Sequence, residues 1–305
     1  MAGERPEHFE RIDRAYDDGE RMVTTPPYTA YLKIAEGCSN GCAFCIIPKL
    51  RGRYRSRTMD HLLEEAKSLA DSGVKERIVI AQDITRYGTD LGDGTTLAGL
   101  LKELCKLPFH WIRLHYLYPE AITDELVEVI ASEKKIVHYL DIPIQHCNDA
   151  ILKAMRRRNT RKELEELFAR LREAIPDVVI RTSLICGLPG EGEAEFEELC
   201  EFLKEQKLQR AGVFRFSPEE GTLAEKMDNQ VDPEVAQRRV ELVVDLQSRI
   251  MDEYNAERLG TVMEVLCEGF DSQAGCFVGR TYAASVELDR HVSFTSAGPV
   301  PARAL

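Results

Sequence analysis

Cys38, Cys42 and Cys45 fall inside EGCSNGCAFCIIPKLRGRYRSR, residues 36–57, with the spacing C-x3-C-x2-C, and no fourth cysteine or histidine lies in that segment. Three thiolates this close can hold an iron–sulfur cluster and leave one iron without a protein ligand. A structural metal site closes its coordination shell, whereas a reactive one keeps a position open. An open iron is where a substrate or cofactor binds. The competing readings are an incomplete zinc site and three unrelated thiols. Zinc ligands usually come as C-x2-C with a second pair further along, and no second pair is present.

The remaining cysteines are solitary. Cys105 and Cys200 fall on helical patterns, Cys186 ends a strand pattern, and Cys267 and Cys276 lie near the C-terminus. A small buried hydrophobe is the expected role of each. The same role is expected of Cys147, which follows Gln145-His146 at a strand end. Nine cysteines, an odd number in 305 residues, do not read as a secreted disulfide framework, so a reducing cytoplasm is expected. No apolar run approaches a membrane span and no signal-peptide pattern is visible. The net charge of −12 suits a basic protein partner better than nucleic acid. One basic row runs against that sign: Arg51, Arg53, Arg55 and Arg57 alternate. In an extended segment all four share one face, which suits either an acidic ligand or pairing with nearby glutamates.

A strand-then-helix pattern repeats around these residues. Strands are predicted over 31–36, 76–82, 110–117, 138–144, 178–186 and 211–216. Helices are predicted over 61–73, 97–107, 123–133, 161–174 and 193–206, with Thr123 as an N-cap and Thr160 with Glu163 as a capping box. Such repetition implies α/β architecture, a parallel sheet curled into a full or partial barrel. Chemistry in such folds gathers at the C-terminal ends of the strands, and the cysteine segment follows the first one. The predicted organisation is a linker over 1–30, a core over 31–231, a connecting helix over 232–257 and a small all-β domain over 258–305. Asp232-Pro233 starts the connecting helix, with Val235, Leu242, Val243, Leu246 and Ile250 as its apolar stripe.

The cysteine spacing, with Phe44 before the last cysteine and a βα repeat around it, resembles the radical S-adenosylmethionine superfamily. GCAFCIIPKLRGRYRSR is similar to its methylthiotransferase branch. AQDITRYGTDLG, LHYLYPEAITDEL, YLDIPIQHCNDAILKAMRRRNT and RTSLICGLPGEGEAEF resemble the members that modify ribosomal protein S-12 rather than tRNA. The tail, through GFDSQAGCFVGRTYAASVELD, resembles that family's TRAM domain. The resemblance implies a partial (β/α)6 barrel and a 4Fe–4S cluster on Cys38, Cys42 and Cys45 whose open iron is chelated by S-adenosylmethionine. One-electron cleavage of the sulfonium then gives a 5′-deoxyadenosyl radical that abstracts hydrogen. It further implies that the chain around Phe44 lies along the adenine and that Gln82 lies where the methionine moiety is received. Asp141, Gln145 and Arg181 are implied to reach the ribose, the carboxylate or the substrate. Gly187, Pro189 and Gly190 would form a turn whose backbone approaches the cofactor closely. The bland alternative for each polar residue is a hydrogen-bonded side chain buried in the barrel.

The resemblance implies methylthiolation of an aspartate β-carbon on ribosomal protein S-12, a basic partner, with an electron donor and no membrane. Methylthiolation of a tRNA adenosine is the alternative, with nucleic acid as a secondary partner, and a non-catalytic ribosome-binding remnant is a third. Two departures qualify the first reading. The family carries an N-terminal domain with three further cysteines for a second 4Fe–4S cluster, and no second triad occurs in these 305 residues. The tail reads Ala284-Ser285-Val286-Glu287-Leu288-Asp289-Arg290 in place of the family's Ala-Pro-Glu-Ile-Asp-Gly and stops before a TRAM barrel would close. A fragment is therefore expected, able to cleave S-adenosylmethionine but not to complete sulfur insertion.

Overall fold

A computed structural model describes residues 23–298 and 300. Most of the expected linker lies outside the described residues. Its last residues already belong to the core, because Tyr28 and Thr29 are buried and the first strand starts at Thr29.

The strands are β1 (Thr29–Lys33), β2 (Ala35–Glu36), β3 (Arg55–Ser56), β4 (Glu76–Ile80), β5 (Trp111–Leu114), β6 (Ile136–Asp141), β7 (Val179–Cys186), β8 (Arg210–Arg215), β9 (Leu266–Asp271), β10 (Cys276–Arg280) and β11 (Val292–Phe294). The helices are α1 (Ile47–Arg51), α2 (Met59–Asp71), α3 (Leu97–Cys105), α4 (Asp124–Ser132), α5 (Asp149–Ala154), α6 (Arg161–Ala174), α7 (Glu193–Gln206) and α8 (Pro233–Ala256). β1, β4, β5, β6, β7 and β8 form one six-stranded sheet in that order, and every neighbouring pair is parallel. The sheet stays open: β1 and β8 are its two edges. Each predicted core strand and helix is present, shifted by a few residues at most. The short elements α1, α5 and β3 were not foreseen, because two to six residues carry too little period to read, whereas β2 is the end of the strand predicted over 31–36.

Local chemistry sets the helix starts. Thr96 and Thr123 each accept a backbone N–H from the first turn of α3 and α4. Thr160 and Glu163 complete the capping box of α6. Asp232 caps α8 with Pro233 at the first helical position. The apolar faces of α2, α3, α4, α6 and α7 pack on the strands in one continuous core. The stripe of α8 differs from the predicted one. Ala236, Arg239, Val243, Gln247, Ile250 and Tyr254 face inward, while Val235 and Leu242 are exposed. Two polar residues join that face because each finds a buried partner: Arg239 donates to Glu191, and Gln247 to the carbonyl of Leu208.

The tail forms a three-stranded antiparallel sheet, β11-β10-β9. Phe270, Phe277 and Phe294 pack ring to ring across it. It begins at Leu266, later than the expected boundary at 258. Its following loop returns to the large sheet. Leu266 and Ala283 pack with Trp111, Val137, Tyr139 and Val179, at the N-terminal ends of the core strands. Arg280 is fully buried there against Glu76. Tyr139 donates to Asp289 at 2.7 Å, and Ser285 bonds His115 at 2.9 Å. The tail thus closes the end of the barrel opposite the cysteines.

Candidate active site

The cysteine segment is a loop clasped at its base by the β2–β3 pair, Ala35 opposite Ser56 and Glu36 opposite Arg55. Gly37 sits at φ +75, and a Cβ there would collide with the carbonyl of Arg53. Further stitches fix the thiols in space. Cys38 N–H donates to Gly52 O at 3.2 Å, Ala43 N–H to Met155 O at 2.9 Å, and Ala224 N–H to Ala43 O at 2.9 Å. Asn40 donates to the Asp83 carboxylate at 2.8 Å, and Tyr54 donates to the Asp83 carbonyl at 2.8 Å. The loop is therefore tied to the end of β4, to α5 and to the segment after β8.

A cleft of about 440 Å3 opens at the C-terminal ends of the strands. Cys38, Cys42, Cys45, Phe44, Gln82 and Gln145, six of the residues expected at the site, line it together. All three thiols are partly accessible. Burial pushes the Cys38 and Cys45 thiols above the ordinary cysteine range. Metal binding would therefore have to displace protons from them. Among the described residues no three acidic, histidine or cysteine side chains converge on a point fit for a single ion. Thiols that each take a different iron of a cluster need no such convergence.

Gln82 brings an acceptor to this cleft: its Oε1 is buried and has no hydrogen-bond partner. An unpaired buried acceptor is costly and marks a place for a donor to arrive. Gln145 and Tyr116 both line the cleft with positive φ, 72° and 65°. Such values are strained for residues with a Cβ and are typical of functional sites. The backbone of Gln145 is held from both sides, its N–H on Ser183 O and its carbonyl on Ile185 N–H, each at 2.9 Å.

Several of the expected residues lie outside the cleft lining. Asp141 and Arg181 do not line the cleft; they satisfy each other below it, with Arg181 Nη1 donating to Asp141 Oδ1 at 2.6 Å. The other Asp141 oxygen accepts from the backbone of Tyr116 at 3.2 Å, so the carboxylate positions a cleft residue. Burial disfavours the Arg181 charge, but Asp141 reverses this and raises its pKa. Gly187 and Gly190 are also absent from the cleft lining. Their close approach is to other parts of the chain: a Cβ at Gly187 would strike Ala236 of α8, and one at Gly190 would meet Asn229. The arginine row is not one extended face. Arg51 ends α1 beside Glu36, whereas Arg57 is buried and donates to Glu65 at 2.6 Å.

Lys33, Asn40, Tyr116, Tyr118, Arg157 and Ser183 join the cleft without having been foreseen. Arg157 lies in the run Arg156-Arg157-Arg158, whose composition does not say which member is buried. Only Arg157 is, 6% exposed with its guanidinium 3.9 Å from the Tyr118 ring centre.

Residues 32–203 match the family profile described as the Radical SAM superfamily. The chain belongs to the radical SAM superfamily. Among similar proteins is a "Ribosomal protein uS12 methylthiotransferase RimO" of Caldanaerobacter subterraneus subsp. tengcongensis, 50% identical over 279 residues, covering 91% of this chain and 63% of the relative. A protein of the same name from Clostridium acetobutylicum is 44% identical over 285 residues, covering 93% and 64%. The chain thus spans under two thirds of the length of these relatives. Coproporphyrinogen III oxidase (HemN) of Escherichia coli, a radical SAM enzyme, shares the fold with a TM-score of 0.57 at 16% identity, over 75% of this chain and 54% of its own. The methyltransferase TsrM of Kitasatospora setae gives 0.52 at 16% identity, over 64% and 39%. Membership of the superfamily implies a 4Fe–4S cluster and S-adenosylmethionine, and the residues lining the cleft fit both. The thiols suit iron, and the unpaired Gln82 acceptor suits an ammonium donor. Among the described residues no helix is long and apolar enough to cross a membrane.

Proposed function

We propose that this chain carries the radical-generating site of a methylthiotransferase acting on ribosomal protein uS12. The observation that carries the reading is the 50% identity to a protein of that name across 91% of this chain. The open cleft with three thiols supports the chemistry, and the net charge of −12 supports a basic protein target. Cys38, Cys42 and Cys45 would hold the 4Fe–4S cluster. Gln82 would accept from the amino group of S-adenosylmethionine, and Phe44 and Gln145 would border the same molecule. Bound together, cluster and S-adenosylmethionine supply the electron and the carbon radical needed to activate an unactivated C–H bond.

The chain's own residues prepare the place for that chemistry. The β2–β3 clasp and the bonds to α5 and to the segment after β8 fix the loop that carries the thiols. The strained backbones of Tyr116 and Gln145, held by Asp141 and Ser183, turn two side chains toward the cleft. The tail plug closes the far end of the barrel, so substrate and solvent reach the site from the cysteine side. Outside 38–45 the cysteines are dispersed along the chain, so these residues are proposed to hold one cluster. The aspartate β-carbon of uS12 is the proposed point of modification, with an external electron donor.

Two measurements test this. Anaerobic reconstitution with iron and sulfide should load about four irons per chain, and dithionite with S-adenosylmethionine should release 5′-deoxyadenosine. In the source organism, disruption of the gene should remove the methylthio mass increase from the uS12 peptide. Retention of that mass increase, with loss of a methylthio-adenosine from tRNA instead, would overturn the substrate assignment.

A further inference from the structure

The three thiols are not equivalent. Tyr118 Oη lies 3.1 Å from Cys42 Sγ, and Arg157 Nη1 approaches the same sulfur at 3.9 Å. Among the described residues neither Cys38 nor Cys45 has a side-chain partner on sulfur; the backbone at Asn40 and at Ile47 serves them. Tyr118 and Arg157 are also locked to each other. The guanidinium stacks on the phenol ring, its Nη2 donates to Pro143 O at 2.6 Å, and its Nε is buried without a partner. Pro143 follows β6, and Tyr118 is carried past the end of β5 with its N–H on Thr85 Oγ1 at 3.3 Å. Both groups are therefore held by the scaffold and not by the cysteine loop itself.

We propose that Tyr118 and Arg157 are positioning residues that set the reduction potential of the cluster through Cys42. The inference rests on the cluster reading above. A thiolate at Cys42 is an acceptor only, so the phenol must donate to it. Donation draws electron density from sulfur, and the neighbouring guanidinium adds a fixed positive charge. Reduction places one further negative charge on the cluster, which both effects stabilise. Hydrogen bonds to ligand sulfurs and nearby charge are established levers on cluster potential. The pair acts at one corner of the cluster, so it biases electron acceptance without occupying the open iron.

The test is a potentiometric titration of the reconstituted chain followed by electron paramagnetic resonance, with iron counted separately. Tyr118→Phe should keep the wild-type iron content. Its reduced-to-oxidised ratio at a fixed ambient potential should fall about tenfold, equal to about 59 mV for a one-electron couple. Arg157→Gln should shift the potential in the same direction. Tyr282→Phe, which removes a phenol bonded to the Asp177 carbonyl away from the cleft, should leave it unchanged. Deuteron coupling to the reduced wild-type cluster in D2O, lost in Tyr118→Phe, reads the hydrogen bond directly. In the wild type it does so even if the variants bind iron poorly. An unchanged potential in an iron-replete Tyr118→Phe chain, or no exchangeable deuteron near the wild-type cluster, overturns the proposal. Failure of the wild type to bind iron would instead sink the cluster reading beneath it.

Discussion

Arg280→Met should destabilise the fold by about 3 kcal/mol at neutral pH. Arg280 has no accessible surface, yet it comes from the tail and meets Glu76 at the first residue of β4. Its Nη2 donates to Glu76 Oε2 at 2.6 Å, and its Nε donates to Glu268 at 2.7 Å. Arg113 supplies the second cation on Glu76 at 2.8 Å. Burial alone would raise the Glu76 carboxyl; Arg113 and Arg280 reverse that and lower it from 4.5 to about 2. Taken as linkage, that depression contributes about 3 kcal/mol, and removing one partner of a buried pair typically costs about 3–5 kcal/mol. The unfolded chain takes up a proton on this residue near pH 4.5, which folded Glu76 refuses until about pH 2. The contribution is thus complete above pH 4.5 and is lost as pH falls toward 2. Urea unfolding of the iron-free chain, followed by circular dichroism at pH 7 and pH 3, reads both effects. Arg280→Met should lower stability at pH 7 and show a shallower loss between the two pH values, because its Glu76 keeps only Arg113. A loss under about 1 kcal/mol at pH 7 would refute the reasoning, since exposed pairs are worth that little.

Three further outcomes are expected. Gln82→Leu should weaken S-adenosylmethionine binding about tenfold, the worth of one hydrogen bond to a charged group. Its iron content should not change, as equilibrium dialysis and iron analysis can check together. Gly187→Ala should destabilise by about 2 kcal/mol or more, because φ +81 disfavours a side chain and the new methyl would strike Ala236; thermal unfolding measures it. Thr160→Ala should cost about 1 kcal/mol through the lost cap of α6, read by urea titration with no change in iron content.

The strand–helix repeat was legible because its periods are long and its caps chemically specific. Thr123, Thr160 and Asp232 cap helices for the same reason in the chain as in the fold. The cysteine triad was legible because its ligands are close in sequence. Spacing alone therefore singled out Cys38, Cys42 and Cys45 as candidate ligands, and the repeat placed them at the strand ends. Gln82 and Gln145 were reached through resemblance, and their exposure to the cleft is a matter of which way a strand end turns.

What only the tertiary structure decided involves partners distant in sequence. Asp141 and Arg181 stand 40 residues apart in the chain and bond each other outside the residues that line the cleft. Tyr118 and Arg157 carry no sequence signal, yet they meet Cys42 from 76 and 115 residues away. The tail forms the small β unit its sequence implied, and only the structure shows Arg280 crossing 204 residues from it to reach Glu76. The chain by itself determined which three cysteines stand together and the order of the elements, because local spacing and period encode both. Which buried charges pair, and which side chains face the thiols, depended on packing between segments that the sequence keeps apart.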